Sequence, residues 1–172
     1  RLRLGHGIRN HDMTQDLIDA IAEQERRLVL DRFDDDVAFA LGCALRERAA
    51  QIAAPVTIEI RSAARRYFFT TLRGATPENE DWGRRKINTV LRTHKSSMQV
   101  GLVYESRGLA QWPDMCLPYS DFAVAGGGFP VAVKDFGLVA AIGVSGLPSR
   151  DDHELSTATL AAHLGIKGIA LP

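Results

Sequence analysis

Apolar residues recur along this chain with two different periods, and the changes of period mark its elements. From Thr14 the pattern is helical: Leu17, Ile18, Ile21 and Ala22 fall on one stripe. Leu28-Val29-Leu30 reads as a short strand. Asp34-Asp35-Asp36 then open a second helix, with carboxylates at the positive end of its dipole. Val37, Ala38, Leu41, Ala44, Leu45 and Ile52 are its expected buried face. Gly42 within it predicts close contact with another backbone, at a propensity cost of about 1 kcal/mol relative to alanine.

Pro55 ends that helix, and the period drops to two. Val56, Ile58 and Ile60 alternate with Thr57, Glu59 and Arg61, which predicts a half-buried strand. Tyr67–Leu72 reads as its hairpin partner. A third helix starts after Gly74, with Thr76 as cap before Pro77, or with Asn79 as an equally good cap, and runs to about His94. Ser96-Ser97-Met98-Gln99 has capping-box spacing and predicts a short fourth helix. Trp112–Tyr119, with two prolines, reads as loop. Val131 and Val133, the turn Lys134–Gly137 and the run Leu138–Ser145 form a second hairpin. A last helix begins near Ser149, where Ser149-x-x-Asp152 resembles a capping box with Asp in place of Glu. The order α-β-α-β-β-α-α-β-β-α gives about five strands, mostly antiparallel, packed with helices. This is an α+β layered domain rather than a doubly wound parallel sheet.

Length and charge narrow the class. The chain has 172 residues, one domain's worth, with 21 basic and 21 acidic side chains and a formal net charge of zero. No basic excess or polybasic block points to nucleic acid or a membrane surface. Cys43 and Cys116 are isolated, without CxxC spacing, and read as reduced thiols. With no signal-peptide core or membrane-spanning run, the expected location is cytoplasmic. Residues 1–12 precede the first methionine, Met13, and read as an N-terminal extension or a vector-derived segment; residues 13–172 read as a single α+β domain.

Few residues carry candidate chemistry. On a helical projection at about 100° per residue, Lys86 falls inside the apolar arc of the third helix. Trp82 and Val90 flank it, Ile87, Leu91 and His94 extend the arc, and Arg85, Asn88, Arg92 and Lys95 lie opposite. Either the Lys86 stem packs and its ammonium reaches solvent, or a partly buried ammonium requires an anionic partner, a protein or a ligand carboxylate. Gly126-Gly127-Gly128 matches neither GxGxxG nor a P-loop, and a strand follows it rather than a helix. These glycines serve a turn with positive φ or a close approach of ligand or chain. Ala140, Ala141, Gly143 and Ser145 leave space on the following strand for a helix, a second subunit or a flat cofactor. His153 has Asp151 and Asp152 beside it, but adjacent residues on a helix do not converge. No HxxxH, HExxH or Cys/His cluster occurs, so no metal site is expected. Ser145 lacks a GxSxG elbow, and Cys43 sits mid-helix as a structural thiol would.

Several separated stretches resemble one family when taken together. They are Phe33-Asp34 with Leu41-Gly42, Gly74–Asn79 leading to Trp82, Arg85-Lys86-x-Asn88-Thr89-Val90, Ser96-Ser97, Gly126–Pro130, and Val144-Ser145-Gly146-Leu147-Pro148 leading to Asp152-His153. The set resembles the heme-degrading-domain (GlcG/HbpS-like) family, in its uncharacterised-protein branch, over roughly Leu28 to Ala162. The resemblance implies a profilin-like α+β fold, a homo-oligomer built from dimers, and binding or breakdown of heme. His94, Met98 and His153 are the chemically possible iron ligands. The expected function is a cytosolic small-ligand-binding protein for heme or another carboxylate-bearing ligand. Its expected pocket comprises Arg85, Lys86, Gly126, Gly127, Gly128, Ser145, Gly146 and His153. A heme-degrading enzyme and a scaffold without ligand are the alternatives.

Overall fold

The computed structural model describes residues 6–172, with side chains from Met13 onward. Residues 1–5 of the expected N-terminal extension lie outside the described residues; the backbone of 6–12 opens the first helix. The elements run α1 (His6–Arg27), β1 (Val29–Leu30), α2 (Asp35–Gln51), β2 (Thr57–Arg61), β3 (Arg66–Thr71), α3 (Pro77–Thr93), α4 (Ser97–Ser106), β4 (Gly128–Val133), β5 (Gly137–Ser145) and α5 (Ser149–Leu164). The predicted order of helices and strands matches throughout.

The five strands form one sheet in the order β1-β4-β5-β2-β3. Only β1 pairs in parallel, with β4; the other neighbours are antiparallel. This makes β2 an internal strand with both faces covered. Ile58 and Ile60 enter the main core, while Thr57 and Glu59, expected at the surface, are also buried. Alternation alone could not reveal the second layer over that face.

The main core lies between the sheet and the helices α2 and α5, around Leu41, Leu45, Ile58, Ile60, Phe129, Ile142 and Leu160. Burial of each such side chain contributes roughly 1.5–3 kcal/mol. On the other face α3 packs through Ile87 and Val90 against Ala141. Ala141 and Gly143 of β5 make room for that helix, since a Cβ on Gly143 would overlap the Ile87 side chain, whereas Ala140 faces the main core. Gly42 meets the ring of Phe68 rather than a backbone. Ile52 is 65% exposed, because α2 has already ended there and Ile52 is its C-cap; Ala49 occupies the core instead.

The caps follow local chemistry. Asp34 Oδ1 accepts from the Val37 N–H at 2.9 Å and starts α2. Of the two alternatives at α3, Thr76 is the N-cap and Pro77 follows; Asn79 lies inside the first turn instead, where its Oδ1 accepts from the Thr76 N–H at 2.8 Å. Ser96 Oγ accepts from the Gln99 N–H at 3.3 Å and starts α4. The expected Ser149–Asp152 box does not form. Ser149 Oγ instead accepts from the Gly126 N–H at 2.7 Å, and the Asp152 carboxylate bonds the Leu147 N–H and the Lys86 ammonium rather than Ser149.

Candidate functional site

Lys86 is 3% exposed, and its ammonium does not reach solvent past Trp82. Its Nζ donates to Asp152 Oδ2 at 2.8 Å and to the Val144 carbonyl at 3.0 Å. The anionic partner is therefore a protein carboxylate, carried by α5. The same carboxylate accepts from the backbone N–H of Leu147 at 3.0 Å and of Gly146 at 3.4 Å. Asp152 thus joins the first turn of α5 to the Val144-Ser145-Gly146-Leu147 exit from β5 and to α3. Burial lowers the Lys86 pKa and raises that of Asp152, and their mutual attraction opposes both shifts.

The glycine triplet packs around this pair. Gly127 has φ +114°, and a Cβ there would overlap the Val144 carbonyl oxygen and stand 3.0 Å from Lys86 Nζ. Cβ atoms on Gly126 and Gly128 would run into Ser149 and into Ser97 and Lys86. Close approach of chain to chain explains all three, and a left-handed turn conformation explains only Gly127. The two glycine-rich ends of the second hairpin are neighbours, since the Val144 N–H donates to the Gly127 carbonyl at 3.0 Å.

A cavity of ≈ 270 Å³ opens beside the ion pair. Trp82, Asn79, Ser145, Leu147 and Ser149 line it together with Lys86 and Asp152. The Arg85 guanidinium stacks on the Trp82 ring at 4.1 Å and is otherwise engaged, donating to the Tyr119 carbonyl at 3.0 Å and lying 2.8 Å from the Asp81 carboxylate. Lys86, Ser145 and Gly146 of the expected pocket therefore line one cavity. Gly126, Gly127 and Gly128 buttress it from behind.

His153 is elsewhere. Its ring is fully buried, edge-on to Phe129 with centroids 5.7 Å apart, and its Nε2 lies 2.8 Å from Gln24 Oε1. The Gln24 amide N–H donates to the Ile169 carbonyl at 2.7 Å, so its oxygen faces His153 and Nε2 carries the proton. Nδ1 is buried without a partner. Desolvation, with a smaller effect of Arg150, lowers its pKa to about 4. The expected pocket lacks the neighbouring Asp152, and it also lacks Asn79, Trp82, Leu147 and Ser149, which line the cavity. An acid in a helix's first turn suits the dipole so well that sequence gave no reason to send it across to α3.

These features define an α+β layered domain with a mixed five-strand sheet and a polar pocket at the end of β5. The family profile of "Haem degrading protein HbpS-like" matches residues 33–161, and the chain belongs to that family. UPF0303 proteins of Paraburkholderia phymatum and Burkholderia thailandensis are 45% and 44% identical over 154 residues, 90% of this chain and 93% of theirs. Among solved structures, the Ybr137w protein superposes with a TM-score of 0.78 at 25% identity, covering 86% of this chain and 87% of its own. HbpS superposes at 0.61 with 24% identity, covering 78% of this chain and 91% of its own. A PduOC:heme complex superposes at 0.63 with 21% identity, covering 78% and 95%. Both of these share the fold.

The donor residues here do not form a heme pocket together. An iron needs an axial side chain beside a cavity that takes the macrocycle. His94, expected on the apolar arc, is exposed as the left-handed C-cap of α3, where the helix ends and the projection no longer holds. His153 has one ring nitrogen bonded and the other enclosed. Met98 packs with Ile21 and Leu171 and borders a different cavity. None of the three lines the cavity beside Lys86. Among the described residues no cluster of three or more His, Cys, Asp or Glu could hold a metal ion, and no helix is long and apolar enough to cross a membrane.

Proposed function

We propose that this chain binds a small polar ligand in the cavity beside the Lys86–Asp152 pair, and that it does so as a cytosolic homo-oligomer built from dimers. One observation carries the reading. The Trp82–Val90 block and the Val144–His153 block, 66 residues apart at Lys86 and Asp152, meet at a single cavity. A buried ion pair is weak support for stability alone, because desolvation offsets most of its attraction. Set at a cavity with hydroxyl, amide and indole groups, it is a pre-oriented polar surface. Lys86 and Asp152 cancel in charge, so the pocket suits a ligand with both donors and acceptors. A carboxylate-bearing ligand would draw on the remaining ammonium N–H and on Ser145 and Ser149. The volume of ≈ 270 Å³ favours a metabolite smaller than heme.

Thermal-shift screening of the purified protein against small carboxylic acids, amino acids and hemin tests this. The expected result is a saturable rise in Tm for one class of small ligand, abolished in Ser145→Ala and Ser149→Ala proteins that melt normally without it. A one-to-one Soret shift with hemin that survives those changes and disappears in Met98→Leu or His94→Ala would replace this reading with heme ligation. Homo-oligomerisation is checked by sedimentation; a monomer at micromolar concentration contradicts it.

A further inference from the structure

The opposite side of α3 bears a larger groove that the pocket beside Lys86 does not use. It measures ≈ 790 Å³ and lies between the β2–β3 turn and the N-terminal half of α3. Four arginines line it, Arg61, Arg65, Arg66 and Arg84, against the carboxylates of Glu59, Glu80 and Asp81. Two of the arginines are already engaged: Arg65 pairs with Asp35, and Arg84 pairs with Asp81 and donates to the Ser120 carbonyl at 2.7 Å.

The floor is different. The Glu59 side chain, 5% exposed, lies 2.7 Å from Arg66 Nε and 3.8 Å from Arg61 Nε. Two guanidinium groups therefore share one buried carboxylate. The Arg61 side chain is only 20% exposed, and its hydrogen-bond partner is the neutral Asn88 oxygen at 2.5 Å. Arg66 uses Nε on Glu59 while its guanidinium lies 4.6 Å from the Phe69 ring centre, which leaves the terminal nitrogens for another acceptor. A guanidinium held by a carboxylate on one side and a ring on another loses little rotamer freedom when it binds. Planar guanidinium forks of this kind match carboxylate and phosphate oxygens.

We propose that the Arg61–Glu59–Arg66 floor is a binding site for a small anion, a carboxylate or a phosphate group, separate from the pocket beside Lys86. Arg61 and Arg66 supply the N–H donors, and Glu59 fixes their spacing without neutralising both.

Calorimetric titration of the full chain with inorganic phosphate and with succinate, at constant ionic strength, tests the site. Saturable binding of either at one per chain is expected. Phosphate alone identifies a phosphorylated ligand, succinate alone a carboxylate, and both a site open to either anion. Arg66→Gln, at a half-exposed side chain, is expected to weaken binding about tenfold or more. Arg61→Lys, which keeps the charge but loses the fork, is expected to weaken it while folding is retained. Ser145→Ala, in the other cavity, is expected to leave the Arg66-dependent binding unchanged. Absence of saturable binding by both anions overturns the proposal, as does an affinity unaltered in Arg66→Gln. Loss of binding in Ser145→Ala would assign the anion to the other pocket and equally overturn it.

Discussion

Gly127 lies directly beneath the ammonium of Lys86, so close that a Cβ would stand 3.0 Å from Nζ. The contact is between a backbone and a charge, and it leaves no room for any side chain. Gly127 also has φ +114°, where other residues are strained. Gly127→Ala is expected to destabilise the protein by about 2 kcal/mol or more, through overlap with the Val144 carbonyl and backbone strain together. Urea unfolding monitored by tryptophan fluorescence would register the lower midpoint; an unchanged midpoint contradicts the packing described.

Removing Lys86 leaves the carboxylate of Asp152, whose side chain is 1% exposed, without its cation. Lys86→Met is expected to cost about 3–5 kcal/mol, and the double variant Lys86→Met with Asp152→Leu is expected to recover much of it. A double-mutant cycle in urea measures the coupling. If the single change is as stable as the starting protein, the pair is not closed in solution.

His153 makes stability depend on pH in one direction. Its pKa falls from 6.5 unfolded to about 4 folded, because burial disfavours the imidazolium. The unfolded chain therefore binds the extra proton between those values. The contribution of the neutral ring is complete above pH 6.5 and is lost as the pH falls towards 4. The loss is of order 3 kcal/mol. His153→Gln is expected to flatten the Tm profile across that window, even where its absolute Tm is lower.

Gly42 offers a test of sign. Within a helix, glycine to alanine ordinarily stabilises by about 1 kcal/mol. Here the methyl would overlap the Phe68 ring, so Gly42→Ala is expected to destabilise by about 1–3 kcal/mol. Pairing it with Phe68→Leu is expected to relieve part of the loss, which thermal melts of the three variants would reveal.

The contrast between what sequence disclosed and what it hid is physical. Amphipathic periods, Asp34, Thr76 and Ser96 all act within a few residues, so the element order and three helix starts were readable. Lys86 was readable as an anomaly, because a charge on an apolar arc is a local observation. Its resolution was not, since Asp152 reaches it only after α5 folds back across the end of β5. Glu59 illustrates the same limit. Alternation assigns it to the open face, but a second layer of helix covers that face.

The two-residue strand β1 pairs with β4, more than a hundred positions further along the chain. Gln24 of α1 likewise finds its partners on α5 and near the C-terminal end. During synthesis from the N-terminus, the first helix and strand therefore have no sheet to join until Val133 has emerged. The antiparallel β2–β3 and β4–β5 hairpins form from close neighbours in sequence, and such contacts form early. The apolar stripe of α1 around Ile18 and Ile21 waits a shorter time, because Met98 and Leu102 of α4 reach it before β4 is made, while β1 must wait for the second hairpin.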